Sequence, residues 1–593
     1  MDFYQGRILR VDLGESTTSV EPLRMDWAEL YVGGKGLLFR YLLDEVTPGL
    51  DPWSPDNPLM FFTGPFAGTG VSTCSRLVVG CKSPQTGTIL DSYVGGSIGP
   101  EIKFAGYDAI ILTGQAAEPT LVWVKDDVVE LRSAAPYTGM KIGELESALR
   151  RDLDPRMKAL SNGPAGENHL PWACLSTDQA HKAGRGGAGA LMGAKNVKAV
   201  AVRGTGAVTV GDARAFLADM YRIHDQYIFT PANMWAHEEG TLALVDMVDV
   251  AGAMPTRNWS QGQFDGIDQI NSAAFQKVRL KKRACSQCAI GCRNFHVIGD
   301  AHGEGPEFET VALCGANCGV GDTEALFRFN LACDDLGMDT ISTGAVVGLA
   351  IDMTEQGIAD FGLRYGDHDA YVAAPELIAR RQGIGAELAL GARALAAQYG
   401  VPELAMEVKN LELPGYDPRG TFGMSIAYST ADRGGCHQRS YVQADEILGG
   451  DLPPDTMVGK AAVNIHWQNF TSVKYSGIWC EFWALELEEM RQLLRHVYGR
   501  DLSDSELMCV GERAWNLARL FNLRESVEPD DLPRKLYAED GAFAAGPSAG
   551  RAIGESRFRA ALLEYYDLRG WDAAGVPSER KLDELGIDWR PGA

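Results

Sequence analysis

Three thiols fall within eight residues: Cys285, Cys288 and Cys292 of CSQCAIGC, spaced C-x₂-C-x₃-C. Soft metals and iron–sulfur clusters take thiolate ligands, and a tetrahedral site or a cubane needs four. A zinc site would bring a second C-x₂-C knuckle or a C₂H₂ pair, and neither follows. The order is also the reverse of the C-x₃-C-x₂-C that radical enzymes use with S-adenosylmethionine. A [4Fe–4S] cluster with one remote ligand fits better. Spacing leaves Cys314, Cys318, Cys333, Cys436, Cys480 and Cys509 open as the fourth ligand, although a lone cysteine is by default a small buried hydrophobe.

Two polar clusters could move protons beside such a centre. GEGPEFET (303–310) sets Glu307 and Glu309 just after the thiols, and ADRGGCHQRSY (431–441) sets His437 beside Cys436. Taken singly, a glutamate is by default solvated and a histidine structural. DDLGMD (334–339) reads as a helix end with an acid on either side of Gly337. Glycines gather in VGGKG (32–36), TGPFAGTG (63–70), VGGSIG (94–99) and GRGGAG (184–189). None is a Walker A motif, since GGKG lacks the following Ser or Thr. Each alone is a turn; four in one region suit a large phosphate-bearing cofactor packed on backbone N–H groups.

The elements that must position these residues change character along the chain. Residues 1–208 are β-rich: Ile8–Leu13 and Leu121–Leu131 read as hairpins, Ala109–Leu112 and Val197–Val202 as buried strands. From Asp212 onward helical spacing dominates, as in EALFRFNLACDDLG, LIARRQGIGAELALGARALAAQYG and LEEMRQLLRHVYG. Pro414, Gly415 and Pro418 mark a second boundary, giving 1–208, 209–413 and 414–593. The formal charge of −24 and pI near 4.9 exclude a basic nucleic-acid surface. No apolar run reaches the roughly 18 residues of a membrane helix. The start MDFYQGRILRVDL lacks an export signal, so a cytoplasmic location is expected. Twelve cysteines then argue for ligands rather than disulfides.

Together these segments resemble the tungsten-dependent aldehyde:ferredoxin oxidoreductases over nearly the whole chain. The resemblance runs from GRILRVDL, GPFAGTG and KFAGYDAIILTG (103–114) through GPAGEN (163–168) and AGRGGAGALMGAKNVKAVAV (183–202). It continues through CSQCAIGC, GPEFET and CDDLGMDTISTG (333–344), then YDPRG (416–420) and RGGCH (433–437). It ends with ERAWNLARLFNLR (512–524) and YYDLRGW (565–571).

The resemblance implies an α+β subunit of three domains. A β-rich base would carry two pyranopterin dithiolenes around one tungsten, covered by two mainly α-helical domains. Arg76 and the loop Gly184, Arg185, Gly186, Gly187 match pterin- and phosphate-contacting segments. Tyr93 and Ala183 match positions whose carbonyls hold a Mg²⁺ bridging the pterin phosphates. Asp334, Leu336, Gly337 and Asp339 fall in a D-x-x-G-L-D pterin motif, with Met338 in place of its Leu. A second motif, D-x-x-G-L-C, makes Cys480 the fourth cluster ligand, but Tyr475 stands at its Asp and Ile478 at its Gly.

Glu309 matches the family's general base and His437 the histidine that hydrogen-bonds the aldehyde oxygen. The implied reaction is oxidation of a small aldehyde to an acid. Its electrons leave through the cubane to ferredoxin, a small iron–sulfur subunit or a flavoprotein subunit. An E-x-x-H iron site of homodimeric members is replaced by Arg328 and Leu331, which argues against an iron-bridged homodimer. Cys318 matches a region where related ring-reducing enzymes bind the metal through an extra Cys. The alternative is therefore a low-potential reduction, of an aromatic acyl-CoA ring or a carboxylic acid.

Overall fold

The computed structural model describes residues 2–589. The strands Leu59–Phe62 and Leu77–Lys82, apolar but for Lys82 at the end of the second, are buried along their whole length, as strands covered on both faces must be. They belong to a six-stranded mixed sheet ordered Thr17–Pro22, Arg7–Asp12, Ala109–Thr113, Leu59–Phe62, Leu77–Lys82, Ile89–Val94. Arg7–Asp12 and Ala109–Thr113 run parallel, Ile8 opposite Ala109, and the other pairs are antiparallel. A second six-stranded sheet is ordered His181–Ala183, Leu175–Thr177, Lys158–Asn162, Val197–Arg203, Thr120–Lys125, Val128–Ser133. The hairpin expected over Leu121–Leu131 forms its edge.

The two sheets share one core, in which Val11, Leu59 and Val79 meet Val122, Leu160 and Val200. Each such side chain contributes about 1.5–3 kcal/mol on burial. The other face of the first sheet is covered by the helix Gly34–Glu45 and, from far along the chain, by Leu487–Tyr498 and Asp504–Arg524. The base that floors the site is thus clamped by the C-terminal helices.

The remainder is mainly helical, and the fold is α+β as expected. Asp322 caps Thr323–Leu336 by accepting from the Ala325 N–H, and Gly337 ends that helix at φ +77°. Asp339 caps the next helix, Thr340–Glu355, which is buried almost all round. Two features depart from the sequence reading. The stretch 377–400 breaks into His368–Ala379, Gly385–Leu388 and Ala392–Gln398, because Gly383 and Gly391 take the left-handed φ values +56° and +87°. And the helical region holds a three-stranded antiparallel sheet, Arg279–Arg283, Arg293–Ile298, Ala301–Glu304. The thiol segment is the connection between its first two strands. Among the described residues no helix is long and apolar enough to cross a membrane.

Candidate active site

One cavity of about 550 Å³ opens between the base and the helical region. Its wall brings together Cys285, Cys288, Cys292 and Cys480 with Glu309 and His437, and with Arg76, Tyr93, Gly184 and Arg185 of the base. These ten residues come from seven separated segments of the chain. Ala183, Gly186, Gly187, Asp334, Leu336, Gly337, Asp339 and Cys318 do not line it.

Glu309 lies in the short helix Phe308–Thr310 and is fixed by the Gly415 N–H, which donates to its Oε2 at 2.7 Å. Its Oε1 stands 3.4 Å from His437 Nδ1, and neither atom has a hydrogen-bond partner although both are buried. Buried polar atoms are nearly always satisfied, so this pair is aimed at something it binds. Burial pushes the Glu309 carboxyl up to about 8, against the pull of the Gly415 N–H and of Arg185. Burial, then Arg185, Arg433 and Arg439, hold His437 well below its ordinary value. The imidazole is therefore neutral at physiological pH.

Arg433 and Arg439 had not been singled out from the sequence. Arg439 pairs with Asp91 and, at 2.7 Å, with Asp432; Lys35 reaches Asp91 at 3.1 Å and Asp432 at 2.5 Å. Arg433 donates to the Asp91 carbonyl at 2.6 Å. This fully buried network ties the RGGCHQR segment, and so His437, to the base. The only local signal was the pair of arginines around His437, because Lys35 and Asp91 lie hundreds of residues away. Arg433 Nε and Arg439 Nη1 are left without partners, as donors waiting for an anionic group would be.

The thiol segment is stitched to the base: the Ser286 N–H donates to the Gly96 carbonyl at 3.0 Å and the Ala289 N–H to Ser72 Oγ at 3.1 Å. Cys480 follows the helix Lys460–Gly477, its N–H donating to the Thr73 carbonyl at 3.2 Å. Burial raises the Cys285, Cys292 and Cys480 thiols, and Arg76 opposes this at Cys285 and Cys480. Among the described residues no three His, Cys, Asp or Glu side chains come close enough to hold a single metal ion. Four thiols around one cavity wall suit a larger, polynuclear group. Arg76 is held between them by an ion pair with Glu481, a partner the sequence reading missed.

Several expected site residues lie off the cavity wall and are engaged by the protein itself. Cys318 is wholly buried in the helical core, its Sγ–H facing the Leu313 and Gly344 carbonyls at 3.3 and 3.2 Å; it is not placed to bind a metal in the cavity. Asp339 spends its carboxylate on capping its helix and on Arg185 Nε at 3.2 Å. Asp334 faces Lys182, 3.7 Å away, and burial pushes its carboxyl up to about 6. Gly337 makes the turn between the two helices, its carbonyl accepting from the Cys174 N–H, and Leu336 is core.

In several of the glycine loops the missing Cβ makes room for protein backbone. A Cβ at Gly34 would strike the Tyr475 carbonyl and Ile478, one at Gly64 the Gly477 carbonyl, and one at Gly187 the Pro171 carbonyl. Gly184 alone of its loop has open space where a Cβ would project.

Comparison with known proteins decides the kinship. The family described as aldehyde ferredoxin oxidoreductase, N-terminal domain, matches residues 8–204, and its domains 2 and 3 match residues 220–587. The chain belongs to the aldehyde ferredoxin oxidoreductase family. It is 38% identical over 603 residues to the tungsten-containing aldehyde ferredoxin oxidoreductase of Pyrococcus furiosus, covering 98% of each chain. It is 36% identical over 601 residues to that of Thermococcus kodakarensis, again covering 98% of each. An aliphatic sulfonate oxidoreductase, WOR-like subunit, of Pyrococcus furiosus is 27% identical over 98% of this chain and 97% of its own. The active-site complex BamBC of benzoyl-coenzyme A reductase, solved with 1,5-dienoyl-CoA, shares the fold. Its TM-score is 0.84, with 22% identity over 99% of this chain and 97% of that one.

Within this family the altered segment 475–480 has a clear local structure. Tyr475 stacks on Tyr93 with ring centroids 4.3 Å apart and donates to the Gln438 carbonyl at 3.2 Å. Ile478 ends the helix at φ +61°, a left-handed conformation that costs an L-residue about 1–2 kcal/mol. Its buried side chain packs against Gly34 and Gly64, which offsets that cost.

Proposed function

We propose that this protein oxidises aldehydes to carboxylic acids and releases the electrons singly to a ferredoxin-type carrier. The observation that carries this is the facing pair Glu309 and His437, unpartnered and buried, in the cavity whose wall also holds four thiols. The names of the full-length relatives point the same way.

The residues fit the cofactors of such an enzyme. Cys285, Cys288, Cys292 and Cys480 would hold a [4Fe–4S] cluster. Arg76, Arg185, Arg433 and the open face of Gly184 would hold a tungsten bis-pyranopterin, with Tyr93 of the same wall toward its Mg²⁺. When bound, the tungsten centre accepts an electron pair and polarises oxygen, and the cluster passes electrons on one at a time.

The protein's own part is proton control. Glu309, with a carboxyl near 8, is about one-tenth ionised at pH 7 and takes a proton from water as general base. His437 is neutral; with its proton on Nε2 it donates to the aldehyde oxygen where negative charge grows. Its Nδ1 then faces Glu309 as an acceptor, and the carboxyl, once protonated, can donate across the 3.4 Å gap. Phe308, Ile341 and Tyr416 line the same wall and exclude water, which strengthens both interactions. A ring-reducing chemistry drew on Cys318, whose burial in the helical core favours oxidation instead. Viologen reduction by a panel of short and aromatic aldehydes, with protein from tungstate-grown cells, tests the reading. Protein carrying tungsten and iron that reduces no viologen with any of them would sink it.

A further inference from the structure

Residues 269–299, which enclose the three clustered thiols, contain six basic residues and no acidic one, in a chain with 79 acidic and 55 basic residues. Two other acid-free stretches, 57–90 and 179–211, run through the base, where Lys82, Arg185, Lys195 and Lys198 are buried. Here Lys277, Lys281 and Arg283 are exposed, although Arg283 pairs with the buried Glu304 at 3.4 Å. Arg279–Arg283 is an edge strand, paired among the described residues only with Arg293–Ile298. Its register shifts between Arg279 and Lys281, leaving Leu280 65% exposed. The strand runs directly into the thiol segment, whose Ala284, Gln287 and Ala289 are also exposed. The basic edge and the outer side of the thiol loop therefore form one continuous surface.

Two simpler accounts leave this unexplained. Charges on an edge strand, lysine above all, deter aggregation, but the acid-free run extends past the strand through the thiol segment to residue 299. Cations could offset the thiolates, but Arg76 and Arg293 are the ones placed beside them for that; Lys277 and Lys281 face solvent. Salt screens the repulsion between a molecule of net charge −24 and an acidic carrier until the two come within a Debye length of about 8–10 Å, where it is felt. Docking then needs a local patch of the opposite sign where the cluster meets the surface.

We propose that the edge strand Arg279–Arg283, with Lys277, is the docking surface for a small acidic iron–sulfur protein that takes electrons from the cluster held by the adjoining thiols. This rests on the proposed function. Each aldehyde oxidised yields two electrons, so two carriers are reduced by one electron each and no atoms are transferred between the proteins.

The test uses the full-length, cofactor-loaded enzyme and its K277E/K281E variant, with benzyl viologen and a strongly acidic ferredoxin as acceptors. K125E, an exposed position on the second sheet, controls for charge alone. The double variant is expected to keep its viologen rate and lose about tenfold in kcat/KM for ferredoxin at low salt. That loss should shrink as salt is added, and K125E should match wild type. An unchanged ferredoxin rate in the double variant with viologen turnover intact overturns the docking surface and leaves the proposed function standing. If wild type oxidises no aldehyde with either acceptor, the function fails instead. Direct ferredoxin binding then decides the surface: weaker, less salt-sensitive binding by the double variant supports it, and unaltered binding overturns it.

Discussion

Replacing Glu309 by Gln should destroy activity and, in alkaline solution, stabilise the protein. The Glu309 carboxyl is held near 8 against an ordinary 4.5 by its burial. Between those values the folded state keeps a proton that the unfolded chain has released. Stability from this group is therefore whole below pH 4.5 and is lost as pH rises through about 8. At about 1.4 kcal/mol per decade the loss approaches 5 kcal/mol. For a chain of 593 residues, unfolding entropy near 2 cal/mol/K per residue turns this into about 4 °C in Tm. Glu309→Gln, isosteric and uncharged, escapes the loss. Its Tm should match wild type at pH 5 and exceed it by about 4 °C at pH 9, while viologen-linked turnover disappears at every pH. Wild-type turnover should itself rise as Glu309 ionises through pH 8. Equal Tm values for the two proteins at both pH values, or an active variant, would refute the assignment of this carboxyl as a buried base.

Gly184→Ala should fold normally yet bind less cofactor, because its Cβ enters open space, whereas Gly187→Ala meets the Pro171 carbonyl at φ +82° and should lower soluble yield. Metal analysis and yield separate the two outcomes. Cys480→Ser should lower iron content and bleach the visible absorption of the cluster. Cys318→Ala should retain most of its turnover and all of its metal, since the thiol only faces carbonyls in the core; loss of metal would restore it as a ligand. Lys35→Met strips a buried cation from Asp91 and Asp432 and should cost about 3–5 kcal/mol in denaturant unfolding.

Local pattern told most where local physics dominates. The apolar run Ala109–Leu112 is the buried strand its pattern predicts, and the DDLGMD turn ends a helix at Gly337. The thiol spacing named a class of metal centre, and the resemblance supplied the distant Cys480. Glycine clusters were ambiguous for a physical reason. A glycine permits close approach by any group, and sequence does not say whether that group is a phosphate or, as at Gly34 and Gly64, the end of a helix more than 400 residues away.

The sequence by itself determined the residue types: four soft thiols, a carboxylate, an imidazole and the alternation that makes a β-rich base. Only the tertiary structure decided which of them act together. Desolvation is a property of a place, so Glu309 became a weak acid and His437 a neutral imidazole only once the base and the helical region closed over them. By the same closure Cys318 was taken into the core, and Lys35, Asp91, Asp432 and Arg439 were drawn into the network that holds His437 in place.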